Sequence, residues 1–117
     1  MHVAFVGTGA MGIAMIGHAL AADFTITAFD QNPEALARAA DAGATTAQDL
    51  TSLAPHSDVV VIMVATDAQT TSVVTALLAA GLSVGATIVV SATNHPRTMV
   101  ALAANCASHG IGFVDAP

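Results

Sequence analysis

VAFVGTGAMG, residues 3–12, carries an apolar strand-forming run straight into Gly7-Thr8-Gly9-Ala10-Met11-Gly12. Each glycine of this GxGxxG turn has a mechanical task. Gly7 permits a tight exit from the strand, Gly9 has no Cβ and lets a pyrophosphate come close to the backbone, and Gly12 lets the next helix lie near the sheet. Free N–H groups at that helix's start, together with its dipole, favour phosphate charge. A lone GxGxxG arises easily by chance in an Ala- and Gly-rich chain, so context decides. A strand precedes the turn, and an apolar helical pattern follows it through Met11, Met15 and Ala19, with Ala14 and His18. A second strand, Phe24 to Asp30, then ends in an acid. Asp30 stands 18 residues beyond Gly12, near the place expected of a carboxylate that holds ribose hydroxyls. Together these features predict a dinucleotide site.

The pattern alternates strand and helix along the rest of the chain, which argues for a parallel sheet covered on both faces. Asn32-Pro33-Glu34 opens a helix with a cap, a proline at its first position and an early acid, and Gly43 stops it. Ala44–Thr46 reads as a short third strand and Gln48–Leu53 as a helical turn. Val59–Ala65, VVVIMVA, is apolar and β-branched, as a strand buried on both faces should be. Asp67 reads as the cap of a helix reaching Ala80, Ala86–Ser91 as a fifth strand, and Pro96 as the start of a helix ending before Gly110. Ile111–Val114 is the sixth strand. Right-handed crossovers then predict a Rossmann-type, doubly wound α/β sheet in the order 3-2-1-4-5-6, with the ligand across the carboxyl ends of strands 1, 2 and 4. The Gly7 loop, Asp30-Gln31, Val64-Ala65-Thr66 and Ser91–His95 all follow strand ends on that edge.

Composition narrows the function classes. The 117 residues fit one domain, and a net charge of −6 with Arg38 and Arg97 as the only permanent cations argues against nucleic-acid or anionic-membrane partners. Hydrophobic residues make up 55% and charged residues only 9%, low for a free-standing surface, which predicts apolar area covered by another domain or chain and a tendency to form homo-oligomers. Val3–Ala22 resembles a secretion signal in its apolarity and its Ala19-Leu20-Ala21 ending, yet it lacks a basic start and holds glycines at functional spacing. A cytoplasmic protein is the expectation. Cys106 is the sole cysteine and shares a helix face with Met99, Leu102 and Ala103, as a small core residue would. The five histidines, His2, His18, His56, His95 and His109, form no metal-ligand spacing with acids or cysteine. Only His95 falls near the predicted edge, where a loop or capping role suits it.

GTGAMGIAMIGHAL, FDQNPEA, IMVATDAQ, SATNHP and GFVDAP together resemble the N-terminal domain of the β-hydroxyacid dehydrogenases, the family of 3-hydroxyisobutyrate dehydrogenase and tartronate semialdehyde reductase. The resemblance covers the whole chain. It implies cofactor contacts from Gly9, Ala10, Met11, Gly12, Asp30, Val64, Ala65, Gln69 and Thr93, the last near the nicotinamide. Gly7, Gln31 and Thr66 complete the candidate set. The chain departs where Ala65 replaces the family's usual proline and Ala92 its serine before Thr93. In the family a second, helical domain carries a catalytic lysine, and a Ser-Gly-Gly after Asp-Ala-Pro-Val binds the substrate acid. These 117 residues contain no lysine and end at Asp115-Ala116-Pro117, so they hold no catalytic residue of the family type.

The expectation is therefore the NAD-binding half of an oxidoreductase that moves a hydride between nicotinamide and a small 3-hydroxy acid or its semialdehyde, inactive without a second domain. A stand-alone NAD-binding module (a redox sensor or relic) and a subunit completed by a separate catalytic chain are the alternatives. Asp30-Gln31 disfavours NADP, and with it the imine reductases, which share the fold and usually carry Asn-Arg there.

Overall fold

The computed structural model describes residues 1–117. Six strands form one parallel sheet: β1 (His2–Val6), β2 (Thr25–Phe29), β3 (Thr45–Thr46), β4 (Val59–Ile62), β5 (Thr87–Val90) and β6 (Gly112–Asp115). Their order is β3-β2-β1-β4-β5-β6, as the alternation predicts. Helices α1 (Ala10–Ala21), α2 (Pro33–Asp41), α3 (Leu50–Leu53), α4 (Asp67–Ala79) and α5 (Pro96–Ser108) connect them, with a 3₁₀ turn at Ala54–His56. No helix is long and apolar enough to cross a membrane.

The strand period of two divides the core into two layers. Ala4 and Val6 of β1, Val60 and Ile62 of β4, and Ile88 and Val90 of β5 face one side, where they pack with Val74, Leu77, Met99, Leu102 and Cys106. Val3, Phe5, Ile26, Ala28 and Val61 face the other, against Ile16 and Ala39. Cys106 is fully buried, and that burial pushes its thiol pKa up.

Three local readings need correction. β4 ends at Ile62 rather than running to Ala65, although Met63 N–H still reaches Val6 O at 2.8 Å. The ladder stops there because the Gly7 turn is pressed against the Met63 carbonyl. The cap of α4 is Thr66 and not Asp67, which is the first helical residue. The buried face of α1 is Gly12 and Ile16, while Met11, Ala14 and His18 are exposed. In a helix this uniformly apolar, hydrophobicity carries no phase, and the sheet selects the smallest residue for its closest approach.

Candidate dinucleotide site

The site begins where β1 and β4 end side by side. Gly7 has φ +94°, and a Cβ built on it would stand 2.3 Å from Met63 O. Only glycine fits that conformation and that approach without strain. Gly12 serves the same closeness from the helix side, since a Cβ there would meet Gly7 O at 2.8 Å. Gly9 differs from both. Its backbone is ordinary extended geometry, φ −66° and ψ −172°, and nothing lies within 4 Å of where its Cβ would be. The fold itself does not require glycine at this position.

No side chain caps α1, and the N–H groups of Ala10, Met11 and Gly12 find no acceptor in the protein. Every other α-helix is capped by a side chain: α2 by Asn32, α3 by Asp49, α4 by Thr66 and α5 by His95. Orphan first-turn donors need a partner, and a phosphate at a helix N-terminus supplies it.

Asp30, at the end of β2, holds this turn. Its Oδ2 accepts from Thr8 N–H at 2.7 Å and from the Thr8 hydroxyl at 3.2 Å, and its Oδ1 accepts from Asn32 N–H at 2.8 Å. Thr8 is fully buried, so the carboxylate satisfies a polar side chain that has no water to turn to. A carboxylate oxygen carries two lone pairs, which leaves Oδ1 with an acceptor position for a further donor. The sequence showed Asp30 as a ligand holder but not as the anchor of Thr8. The signal is a hydroxyl residue between two glycines, in the turn after the strand that neighbours the one ending in the acid.

A cleft of about 450 Å3 opens beside the turn, within the range of small-ligand and cofactor sites. Six of the sequence-predicted residues line it: Gly7, Asp30, Gln31, Val64, Ala65 and Gln69. Gly9, Ala10, Met11 and Gly12 sit in the loop and first turn of α1 at its side, with Met11 69% exposed. Thr66 and Thr93 lie outside the cleft lining. Leu50, Ala68, Ser72 and Val73 line it as well and were invisible in sequence, because α3 and the second turn of α4 reach the cleft only through tertiary packing. Neither arginine lines it.

The α4 turn is capped by its own side chains. The Thr66 hydroxyl accepts from Gln69 N–H at 3.1 Å, while Gln69 Oε1 accepts from Ala65 N–H at 3.0 Å and Thr66 N–H at 3.1 Å. This is a capping box. His95, the histidine near the edge, is a cap too: its Nδ1 accepts from Arg97 N–H at 3.1 Å. Hydrogen bonds from the Thr98 side chain and from His95 N–H hold the Asp67 carboxyl below the ordinary carboxylate range.

The donors and shapes present fit a dinucleotide. Free amides and an open Gly9 suit a pyrophosphate, Asp30 suits ribose hydroxyls, and the walls of Leu50, Val64 and Val73 suit a flat apolar ring.

Comparison with known proteins agrees. Residues 2–117 match the family described as the NAD-binding domain of 6-phosphogluconate dehydrogenase. The chain belongs to that family. It is 34% identical over 118 residues to an L-threonate dehydrogenase of Cupriavidus necator, an alignment that covers 99% of this chain and 40% of that protein. Among solved structures it resembles a Mycobacterium tuberculosis 3-hydroxyisobutyrate dehydrogenase crystallised with L-serine, with a TM-score of 0.91 and 27% identity over 96% of this chain and 38% of the other. An imine reductase of Myxococcus stipitatus, a variant in complex with NAD+, shares the fold at a TM-score of 0.86 and 20% identity, over 96% of this chain and 38% of its own. The chain thus spans about two fifths of the length of these relatives. It is an NAD-binding domain of that family, and the relatives it matches include hydroxyacid dehydrogenases, in line with the resemblance carried by its motifs.

Proposed function

We propose that residues 1–117 form the cofactor half of an oxidoreductase that acts on a small 3-hydroxy acid or its semialdehyde, and that these residues alone bind NAD without turnover. The observation that carries the binding reading is the uncapped α1 N-terminus with its open Gly9, set beside a cleft walled by Asp30. On this reading Ala10, Met11 and Gly12 N–H take the pyrophosphate, and Asp30 Oδ1 takes the adenosine ribose. Val64, Ala65 and Gln69 border the path toward Thr93 at the nicotinamide end. When bound, the nicotinamide gives or receives the hydride.

The chain's own residues bind and orient. The reading assigns none of them the proton that accompanies oxidation of an alcohol: no lysine is present, and His95, whose Nδ1 accepts from Arg97 N–H, is read as a helix cap. Such a proton transfer contributes about 10²- to 10⁴-fold, so the 117-residue chain is expected to show no NADH oxidation with glyoxylate or tartronate semialdehyde. The reading of the substrate as a hydroxy acid rests on the Asp115-Ala116-Pro117 motif and on the relatives' activities.

NAD is the preferred form. Asp30 would repel a 2′-phosphate, and Gln31 and Asn32 bring no positive charge. Calorimetry of the chain with NADH and NADPH tests this: NADH is expected to bind at least about tenfold more tightly, and equal affinity overturns the preference. Self-association is a further part of the proposal. β6 is an edge strand with Val114 45% exposed, and Val84 and Val100 are 83% and 71% exposed. Open edges and apolar surface favour pairing. Sedimentation is expected to show dimers or larger species at micromolar concentration, and a clean monomer would remove this part.

A further inference from the structure

The first turns of α4 have two faces, and only one of them belongs to the cleft. Ala68, Gln69 and Ser72 line it. Asp67 and Thr70, three residues apart and so on one side of the helix, reach instead to the loop between β5 and α5. Asp67 Oδ2 accepts from His95 N–H at 3.0 Å. Thr70, fully buried, places its hydroxyl 3.1 Å from Asn94 Oδ1 and 3.1 Å from Thr66 O. Asn94 in turn donates through Nδ2 to Ala92 O at 3.0 Å. The loop's other end is fixed by Ser91 N–H on Ile62 O at 3.0 Å. Residues 91–95 therefore hang between β4 and the first turns of α4, with exposed Thr93 at their centre.

We propose that Asp67 and Thr70 are positioning residues that set Thr93, beyond the cleft lining, at the nicotinamide end of the dinucleotide site by tying His95 N–H and the Asn94 carboxamide to α4. The proposal rests on the reading above that this loop meets the nicotinamide. The two ties differ in kind. A helix N-terminus needs no bond to a distant loop for its own sake, and α4 already has its capping box, so the Asp67 carboxyl, which takes the Thr98 side chain as well as His95 N–H, ties α4 to the end of the loop and the first turn of α5. Thr70 buries a hydroxyl at the junction, which makes the loop's placement part of the packed interior. A ligand group meeting a loop held this way finds it already ordered, and preorganisation of this sort raises affinity by lowering the ordering cost of binding.

The test compares NADH with ADP-ribose, which keeps the adenosine ribose and pyrophosphate but lacks the nicotinamide. Binding of both is measured by calorimetry on the full 117-residue chain, for the wild type, Asp67→Ala and Asp67→Asn. The wild type is expected to bind NADH more tightly. Asp67→Ala is expected to weaken NADH about tenfold, the scale of a lost charge-assisted hydrogen bond, with ADP-ribose left within about twofold. Asp67→Asn keeps an oxygen for His95 N–H and is expected to restore most of the NADH affinity. A wild type that binds ADP-ribose and NADH equally, or an Asp67→Ala variant that retains the wild-type ratio even while melting earlier, overturns the positioning role. A wild type that binds neither ligand overturns the cofactor reading instead.

Discussion

The turns after β1 and β4 are neighbours in the sheet, face the same edge and both open onto helices, yet they are finished in opposite ways. In the β4–α4 turn Thr66 and Gln69 exchange bonds, so the amides of Ala65, Thr66 and Gln69 each have a side-chain acceptor, while those of Asp67 and Ala68 have none within the protein. The β1–α1 turn has no side chain able to do so, and the amides of Ala10, Met11 and Gly12 stay free. ATDAQ builds a junction capped by its own side chains and GTGAMG one with no side-chain cap. An uncapped junction still needs a defined shape, and here the rigidity comes from outside the turn, through Asp30 on β2 and the Met63 carbonyl on β4. The free amides and the rigidity of this turn come from different residues, so the two can be broken separately.

The largest effect is expected at Gly7. Gly7→Ala places a Cβ at positive φ and into Met63 O. Backbone strain of that kind costs about 1–3 kcal/mol, and overpacking typically adds about 1–3 kcal/mol. A loss of about 3 kcal/mol or more in urea unfolding is expected, a large share of the stability of a small domain. A variant of near wild-type stability would show that the two turns are not pressed together.

Asp30→Ala removes both the proposed ribose acceptor and the anchor of buried Thr8. NAD affinity is expected to fall roughly ten- to a hundredfold, and the apo chain to lose about 1–3 kcal/mol from the unpartnered Thr8 donors. Asp30→Asn separates the two roles. Its amide oxygen can still accept from Thr8, so stability should recover further than affinity does. Equal recovery of both would mean that the carboxylate acts on the cofactor only through the loop.

Gly9→Ala tests the open turn with nothing else disturbed. Its backbone geometry suits alanine and no neighbour is in reach, so stability should stay within about 0.5 kcal/mol of wild type. The Cβ then occupies the space assigned to the pyrophosphate, and NADH affinity measured by calorimetry is expected to fall about tenfold, close to 1.4 kcal/mol. Unchanged affinity would place the phosphates elsewhere.

These contrasts also show what could be read before the structure. The strand order followed from the alternation of βα units, because right-handed crossovers leave few arrangements once the GxGxxG turn marks strand 1. Gly7, Asp30, Gln31, Val64 and Ala65 line the cleft because each follows a strand end on one edge, and Gln69 lines it from the first turn of α4. Val64 and Ala65 misled as strand residues, because an apolar run does not record where a neighbouring turn cuts the ladder. The phase of α1 was illegible for a related reason: nearly every position is apolar or small, and the exposed Met11 next to the buried Gly12 inverts the usual sign. Leu50 and Val73 lie in the walls only because α3 and α4 converge there, and the Thr8–Asp30 anchor needs two strands set side by side. Each miss is a tertiary contact that no local pattern encodes.

The smallest expected effect tests the capped turn. Thr66 was among the residues read as cofactor contacts, but its hydroxyl is engaged by Gln69 N–H and it lies outside the cleft lining. Thr66→Ala leaves that one amide without its acceptor, at a typical cost of about 1 kcal/mol, or roughly 4 °C in Tm for a domain of this size. Gln69 Oε1 continues to hold the amides of residues 65 and 66, so the turn keeps its course and the cleft wall at Ala65 and Gln69 stays in place. Affinity for NADH is therefore expected within about twofold of wild type, a shift under 0.5 kcal/mol. The pattern is the reverse of Gly9→Ala: stability moves and binding does not. A loss of affinity in Thr66→Ala as large as that in Gly9→Ala would mean that both turns meet the dinucleotide. The capping box would then be a state of the free chain that the ligand opens, not a permanent closure.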